Sequence, residues 1–121
     1  MRKNCFFGEE LLKTAFDYTE SFFDTYKGKR KYFTTRIINP HEMSGELAGY
    51  TDEYLYNFLK SMDSKGHLDN TIVHIYSDHG DHISMLGHFT TSGKREKMNP
   101  FYFLMLPEKL RGKYEPTIRN N

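Results

Sequence analysis

The sequence predicts an α/β fold with a mostly parallel sheet and flanking helices. Apolar residues recur at helical spacing over 9–26 and 51–62, and β-branched or aromatic runs cover 32–38, 71–76 and 101–106. The order helix, strand, helix, strand, loop, strand fits a right-handed crossover between parallel strands. Three strands make a narrow sheet for 19 Phe and Tyr residues, so we expect part of a larger sheet.

Length and composition restrict the classes of protein that this chain can represent. Its 121 residues allow one domain at most, and a net charge of +1 provides no global field for a nucleic acid or a membrane. We expect the basic run Lys27–Lys31 to be a solvated loop. No stretch is apolar enough for a signal peptide or a membrane span, and a single cysteine, Cys5, excludes an intrachain disulfide. The compartment is not readable from these features.

The first helix and the first strand follow one another closely. One apolar face marks the helix, and Gly28 is expected to end it. The aromatic and β-branched run Tyr32–Ile38 predicts a strand that stops at Asn39-Pro40. The apolar face consists of Leu11, Leu12, Ala15, Phe16, Thr19, Phe22, Phe23 and Tyr26.

The second helix has its own capping signals. Thr51 or Asp52 can cap its N-terminus, and Gly66 closes it. Its buried stripe is predicted to be Leu55, Phe58, Leu59 and Met62.

The C-terminal third alternates between strands and irregular chain. The run Thr71–Tyr76 predicts a strand, Asp81–Asn99 a long irregular segment, and 101–106 a third strand that ends at Pro107. We expect residues 108–121 to form a peripheral tail.

Chemistry-bearing side chains follow two of the predicted strands. If those strands are parallel and close together, both loops open onto one crevice at the carboxyl edge of the sheet. The first loop carries Asn39, His41, Glu42 and Glu46, and the second carries Asp78, His79, Asp81 and His82, with His88 beyond it.

The strongest candidate is the turn Ser77-Asp78-His79-Gly80, directly after the second predicted strand. Asp78 offers a hard oxygen and His79 a borderline nitrogen, which suit Zn²⁺ or Mn²⁺ better than Ca²⁺. We expect Gly80 to allow a sharp backbone turn that brings both side chains onto one ion. Simpler interpretations stay open, because the tripeptide can occur by chance, His41 can cap a strand, and Glu42 and Glu46 can be solvated.

These segments resemble a known superfamily. Asn70–Val73 followed by Ser77–Gly80 resembles the corresponding segment of the sulfatase and alkaline phosphatase superfamily, and the match is closest to its sulfatase-like DUF229 branch. That branch shares the loop Asn39-Pro40-His41-Glu42 and the segment Gly93–Phe101, with Glu96-Lys97 and Pro100 in register. The resemblance covers about residues 9–107.

The resemblance implies a partial sulfatase-like catalytic domain and assigns roles to several residues. Asp78 and His79 match metal ligands, and His41 matches a histidine that contacts the sulfate or phosphate group. His82 and His88 are alternatives for a histidine at a second metal or at the leaving group. The implied chemistry is metal-assisted attack of a nucleophile on a sulfate or phosphate ester.

The nucleophile and further acidic ligands of that superfamily match no residue here, since Cys5, Ser44 and Thr51 lack the required context. We therefore expect the C-terminal portion of a catalytic domain that is inactive alone and lacks its N-terminal half. The alternative is a non-catalytic α/β interaction module derived from the same fold. No nucleic-acid partner is expected in either case.

Overall fold

The computed structural model describes residues 5–6, 9–38, 41, 43 and 46–119. The chain divides into two compact units, Met1–Met62 and Asp63–Asn121. No helix among the described residues is both long enough and apolar enough to cross a bilayer.

The first unit consists of two helices and a minimal sheet. Strands β1 (Cys5–Phe6) and β2 (Glu9–Glu10) pair in an antiparallel manner. Helix α1 spans Leu11–Thr25, and helix α2 spans Glu46–Ser64.

Helix α1 buries the centre of its predicted apolar face. Leu12, Phe16, Thr19 and Phe23 are buried, at the three- and four-residue spacing that puts them on one side of the helix. The hydroxyl of Thr19 donates to the carbonyl of Ala15 at 2.8 Å, so its burial leaves no unpaired donor. The two ends of the predicted apolar face are not buried, since Leu11 and Tyr26 are exposed.

Among the described residues, two side-chain contacts join α1 to α2, and a third joins α2 to Glu10, the residue before α1. The Phe16 and Phe58 rings stack at 4.9 Å, and the Ser61 hydroxyl donates to Glu20 at 2.7 Å. Nearer the start of both helices, the Tyr54 hydroxyl donates to Glu10. In these contacts, residues later in the first segment meet residues later in α2, so α1 and α2 run in the same direction.

Helix α2 begins earlier than its capping signals predicted. The hydroxyl of Thr51 donates to the carbonyl of Leu47 at 2.9 Å, one turn back, and Thr51 therefore lies inside the helix. The C-terminal prediction is confirmed, since Gly66 has a φ of +71° and its amide donates to Asp63 at 2.8 Å.

The strand predicted at 32–38 is wrong. These residues form no regular element. The Phe33 ring lies 5.0 Å from the Phe22 ring and 6.2 Å from the Tyr18 ring, so the run packs on a helix. An apolar run without a neighbouring strand has no hydrogen-bond ladder to join.

The second unit contains strands and short helices in alternation. A 3-10 turn, Leu68–Asn70, precedes β3 (Val73–Tyr76). Two short helices, α3 (Met85–Phe89) and α4 (Thr91–Lys97), lead to β4 (Tyr102–Met105) and to helix α5 (Glu108–Arg119).

The sheet of this unit corrects the predicted topology. Strands β3 and β4 pair in an antiparallel manner, with Val73 opposite Met105 and Tyr76 opposite Tyr102. A mostly parallel sheet is therefore wrong for the described residues, although the α/β class holds. The predicted parallel pairing joined residues 32–38 to β3, and it does not occur because residues 32–38 form no strand.

Two segments predicted as irregular or peripheral are helical. The region Asp81–Asn99 contains α3 and α4, and the Thr90 hydroxyl caps α4 by accepting from the Gly93 amide at 2.9 Å. The predicted tail forms α5, in which no described residue is buried. Arg111–Glu108 and Arg119–Glu115 ion pairs lie on its surface, at 3.2 and 2.5 Å.

Candidate functional site

The candidate site begins where β3 ends. The amide of Ser77 donates to the carbonyl of Phe101 at 2.9 Å, and the hydroxyl of Ser77 accepts from the amide of Phe101 at 2.7 Å. This reciprocal pair extends the contact between the two strands one position beyond Tyr76 and Tyr102. The residue before Asp78 is therefore fixed to the chain that enters β4.

Gly80 fixes the other side of the turn. Its amide donates to the carbonyl of Lys97 at 3.1 Å, at the end of α4. A Cβ on residue 80 would lie 1.9 Å from the carbonyl oxygen of Glu96, a distance that no side chain tolerates. Among the described residues, the glycines with positive φ are Gly28 and Gly66. The backbone conformation of Gly80 therefore does not require glycine, and the close approach to Glu96 does.

Asp78 and His79 lie between these two attachments. The amide of His79 donates to Oδ1 of Asp78 at 3.2 Å, and its Nδ1 lies 2.8 Å from the carbonyl oxygen of Gly80. Because a carbonyl can only accept, this contact places the hydrogen of the neutral ring on Nδ1. The lone pair then remains on Nε2, 3.8 Å from Oδ1 of Asp78.

This arrangement fits two ligands of one metal ion. A histidine ligand commonly donates its other ring N–H to a backbone carbonyl, as His79 does to Gly80. A nitrogen and an oxygen on one tetrahedral Zn²⁺ are about 3.4 Å apart, so the separation here needs to shorten by only a few tenths of an ångström. Both side chains reach solvent, with 62% of Asp78 and 40% of His79 exposed.

The donor set is incomplete for a tight site. Among the residues that the structure describes, no group of three or more His, Cys, Asp or Glu side chains could hold a metal. Structural and catalytic zinc sites use three or four protein ligands. Asp78 and His79 therefore provide a half-site, and its binding of a metal stays a prediction.

The two alternative histidines lie in different surroundings. The rings of His79 and His82 are 4.2 Å apart between centroids and meet edge to face at 87°. His88 is exposed in the last turn of α3, with its ring 6.4 Å from that of Phe89. The structure thus brings His82 against a predicted ligand, and the role of either histidine stays a prediction.

Asp81 organises the chain beyond the turn. Its Oδ1 accepts from the amides of Ile83 and Ser84 at 3.0 and 3.1 Å, and its Oδ2 accepts from the Ser84 hydroxyl. These hydrogen bonds, led by that from the Ser84 hydroxyl, hold the pKa of Asp81 below its usual value. The spacing Asp-x-x-Ser ahead of a short apolar run was the sequence signal for this local turn.

The first predicted loop belongs to the other unit. His41 is exposed, and its amide donates to the carbonyl of Ile38 at 3.0 Å. Glu46 is the first residue of α2, where an acidic side chain is favourable. Asn39 and Glu42 lie outside the described residues. Contact of His41 with a sulfate or phosphate group stays a prediction.

Comparison with known proteins identifies the family. The sequence model of the family described as "Protein of unknown function (DUF229)" matches residues 1–121. No curated protein and no solved structure matches the chain. The match extends over the whole sequence and agrees with the resemblance carried by the segments at 77–80 and 93–101. This chain therefore belongs to the DUF229 family.

Proposed function

We propose that this chain provides a divalent-metal half-site of a sulfatase-like hydrolase that acts on sulfate or phosphate esters. The observation that carries the proposal is the pairing of Asp78 Oδ1 with His79 Nε2, whose ring is oriented by the Gly80 carbonyl. The DUF229 membership supports the proposal through the sulfatase-like resemblance, of which the turn Ser77–Gly80 is one of the segments.

The two ligands would hold Zn²⁺ or Mn²⁺ through one hard oxygen and one imidazole nitrogen. A bound ion of this kind polarises an ester oxygen and stabilises the charge that develops on it. In this proposal Asp78 and His79 bind the ion, whereas the contact of His41 with a sulfate or phosphate group rests on the family resemblance alone. With two ligands we predict weak binding and no ester turnover by this chain alone.

Calorimetric titration of the chain with Zn²⁺ and with Mn²⁺ tests the proposal. We expect weak binding that is lost in Asp78→Asn and in His79→Ala. Matched controls are Asp52→Asn on α2 and His74→Ala on β3, both at exposed positions away from the turn. Binding that persists in Asp78→Asn, or that is lost equally in His74→Ala, would contradict the assignment.

A second candidate function is that of a non-catalytic interaction module. The ring of His74 lies 4.4 Å from that of Tyr76 and 4.6 Å from that of Tyr102, on one side of the β3–β4 sheet. Both tyrosines are about two-thirds exposed, at 63% and 66%. Exposed ring clusters of this kind are typical of contact surfaces.

Sedimentation velocity at several concentrations distinguishes this candidate from the first. An interaction surface predicts self-association that the double variant Tyr76→Ser/Tyr102→Ser reduces, with metal binding unchanged. A chain that sediments as a monomer at every concentration would remove the support for this second function.

A further inference from the structure

A strongly basic segment follows α1. Lys27, Lys29, Arg30 and Lys31 fall within five consecutive residues, and no Asp or Glu occurs between Asp24 and Glu42. The whole chain carries a net charge of only +1. These cations therefore form a local patch rather than part of a general positive surface.

The backbone of this basic segment, residues 27–32, is anchored on both sides. Near its start, Gly28 has a φ of +78° and the Lys29 amide donates to the Tyr26 carbonyl at 3.1 Å. After it, the Phe33 ring lies 5.0 Å from that of Phe22 on α1. The backbone that carries the charges is therefore held in place before a ligand binds, which lowers the entropy cost of binding.

The cations of the segment are available to a ligand. Lys27, Lys29 and Arg30 are exposed, and within the described part of the chain no carboxylate lies at ion-pair distance from them. Lys31 is partly covered, with its amino group 4.9 Å above the centre of the Phe23 ring. Three cations thus face solvent, with no counter-charge from the described residues.

One aromatic ring stands beside these charges. Tyr32 is 88% exposed, the largest value among the exposed apolar and aromatic side chains of the described residues. Tyr26, before Lys27, is 49% exposed but packs against the Phe22 ring at 4.9 Å, so Tyr32 presents the more open ring. An open ring next to a row of cations fits a polyanion built of rings. Single-stranded nucleic acids are bound by several stacking rings in succession, and membrane surfaces by an apolar face, which this segment does not present.

We propose that the basic segment binds a polysulfated polysaccharide, as the macromolecular form of a sulfate-ester substrate. The choice of a sulfated polymer rests on the proposed function, whereas the anion site itself rests on the geometry of residues 27–32. The cations pair with the sulfates, and Tyr32 covers a sugar ring.

Binding of heparin to the whole chain, measured by calorimetry over a range of salt concentrations, tests this proposal. We expect the triple variant Lys27→Gln/Lys29→Gln/Arg30→Gln to weaken binding by about tenfold or more and to lower the salt dependence of the affinity. The matched control is Lys109→Gln/Arg111→Gln/Lys113→Gln on α5, which removes the same charge elsewhere. We expect that control to bind within about twofold of the unaltered chain.

Three results would overturn the proposal. They are equal weakening in the α5 control, equal binding of chemically desulfated heparin, and tighter binding of polythymidylate or of phosphatidylserine vesicles than of heparin at the same salt concentration. Titration of the unaltered chain with Zn²⁺ and with heparin separates the two sites. Heparin binding without Zn²⁺ binding refutes only the metal half-site, and Zn²⁺ binding without heparin binding refutes only the polysaccharide site.

Discussion

The amide of Gly80 donates a hydrogen bond to the carbonyl of Lys97 at 3.1 Å, which fastens the turn after β3 to the end of α4. Together with the Ser77–Phe101 pair, this contact joins the two segments that carry the family resemblance, 77–80 and 93–101. Asp78 and His79 are thereby held between two attachments. Side chains held in this way would lose less freedom on binding an ion.

Replacement of Gly80 tests the close approach to α4. We expect Gly80→Ala to destabilise the chain by about 2 kcal/mol, because the added Cβ would meet the Glu96 carbonyl at 1.9 Å. Urea unfolding measures this change. The control is Gly112→Ala on α5, where a Cβ meets nothing within 4 Å and should stabilise the helix by about 0.5 kcal/mol or more. Equal stability of the two variants would exclude the packing reason for Gly80.

Removal of the Ser77 hydroxyl tests the other attachment. Ser77→Ala deletes the acceptor of the Phe101 amide and should cost about 1 kcal/mol, with faster hydrogen exchange at that amide. Ser92→Ala, at an exposed position on α4, serves as the control. Unchanged exchange at Phe101 would show that this hydrogen bond does not hold the turn.

Packing between the two long helices depends on a ring pair. Phe16 is 6% exposed and stacks on Phe58, so Phe16→Ala should cost about 3 kcal/mol in urea unfolding. The double variant with Phe58→Ala should reveal a coupling of about 1 kcal/mol. Tyr56→Ala on the exposed side of α2 should stay within about 0.5 kcal/mol. Additive effects of Phe16 and Phe58 would argue against the contact.

Tyr54 should be the last tyrosine to ionise. Its hydrogen bond to Glu10, followed by that with Tyr50, raises the pKa of Tyr54 above that of an ordinary tyrosine. Because the folded-state pKa is raised, the stabilisation is complete below about pH 10 and is lost as the pH rises above it.

Titration of phenolate absorbance checks this order. Nine tyrosines contribute to the curve, and Tyr54→Phe should remove its latest component. Tyr32→Phe, at an 88% exposed position, should leave that component in place. A late component that survives in Tyr54→Phe would contradict the assignment of the hydrogen bond to this residue.

Local sequence patterns predicted the helices and strands whose periodicity or composition is distinctive. The period of Leu12, Phe16 and Phe23 identified α1, and the β-branched run before Ser77 identified β3. The partners of these elements were harder to predict. An apolar run such as 32–38 shows that a segment is partly buried, but its composition does not say whether a strand or a helix covers it.

In the candidate turn, too, local features could be predicted and contacts with distant residues could not. Its ligand-type residues and its position after a strand could be predicted, because both depend on adjacent residues. The reason for Gly80 could not, since it depends on the carbonyl of Glu96, 16 positions away in the sequence. Asp81 lies among the predicted ligands in the sequence, but its carboxylate accepts hydrogen bonds from Ile83 and Ser84 and so organises the chain that follows.

The most direct test of the metal half-site is the state of the His79 ring. Nitrogen-15 NMR of the imidazoles distinguishes the two neutral tautomers and reports which nitrogen binds added Zn²⁺. We predict that His79 carries its hydrogen on Nδ1 and that Zn²⁺ shifts its Nε2 resonance, with His74 unaffected. A hydrogen on Nε2 of His79, or an equal Zn²⁺ shift at His74, would contradict this prediction.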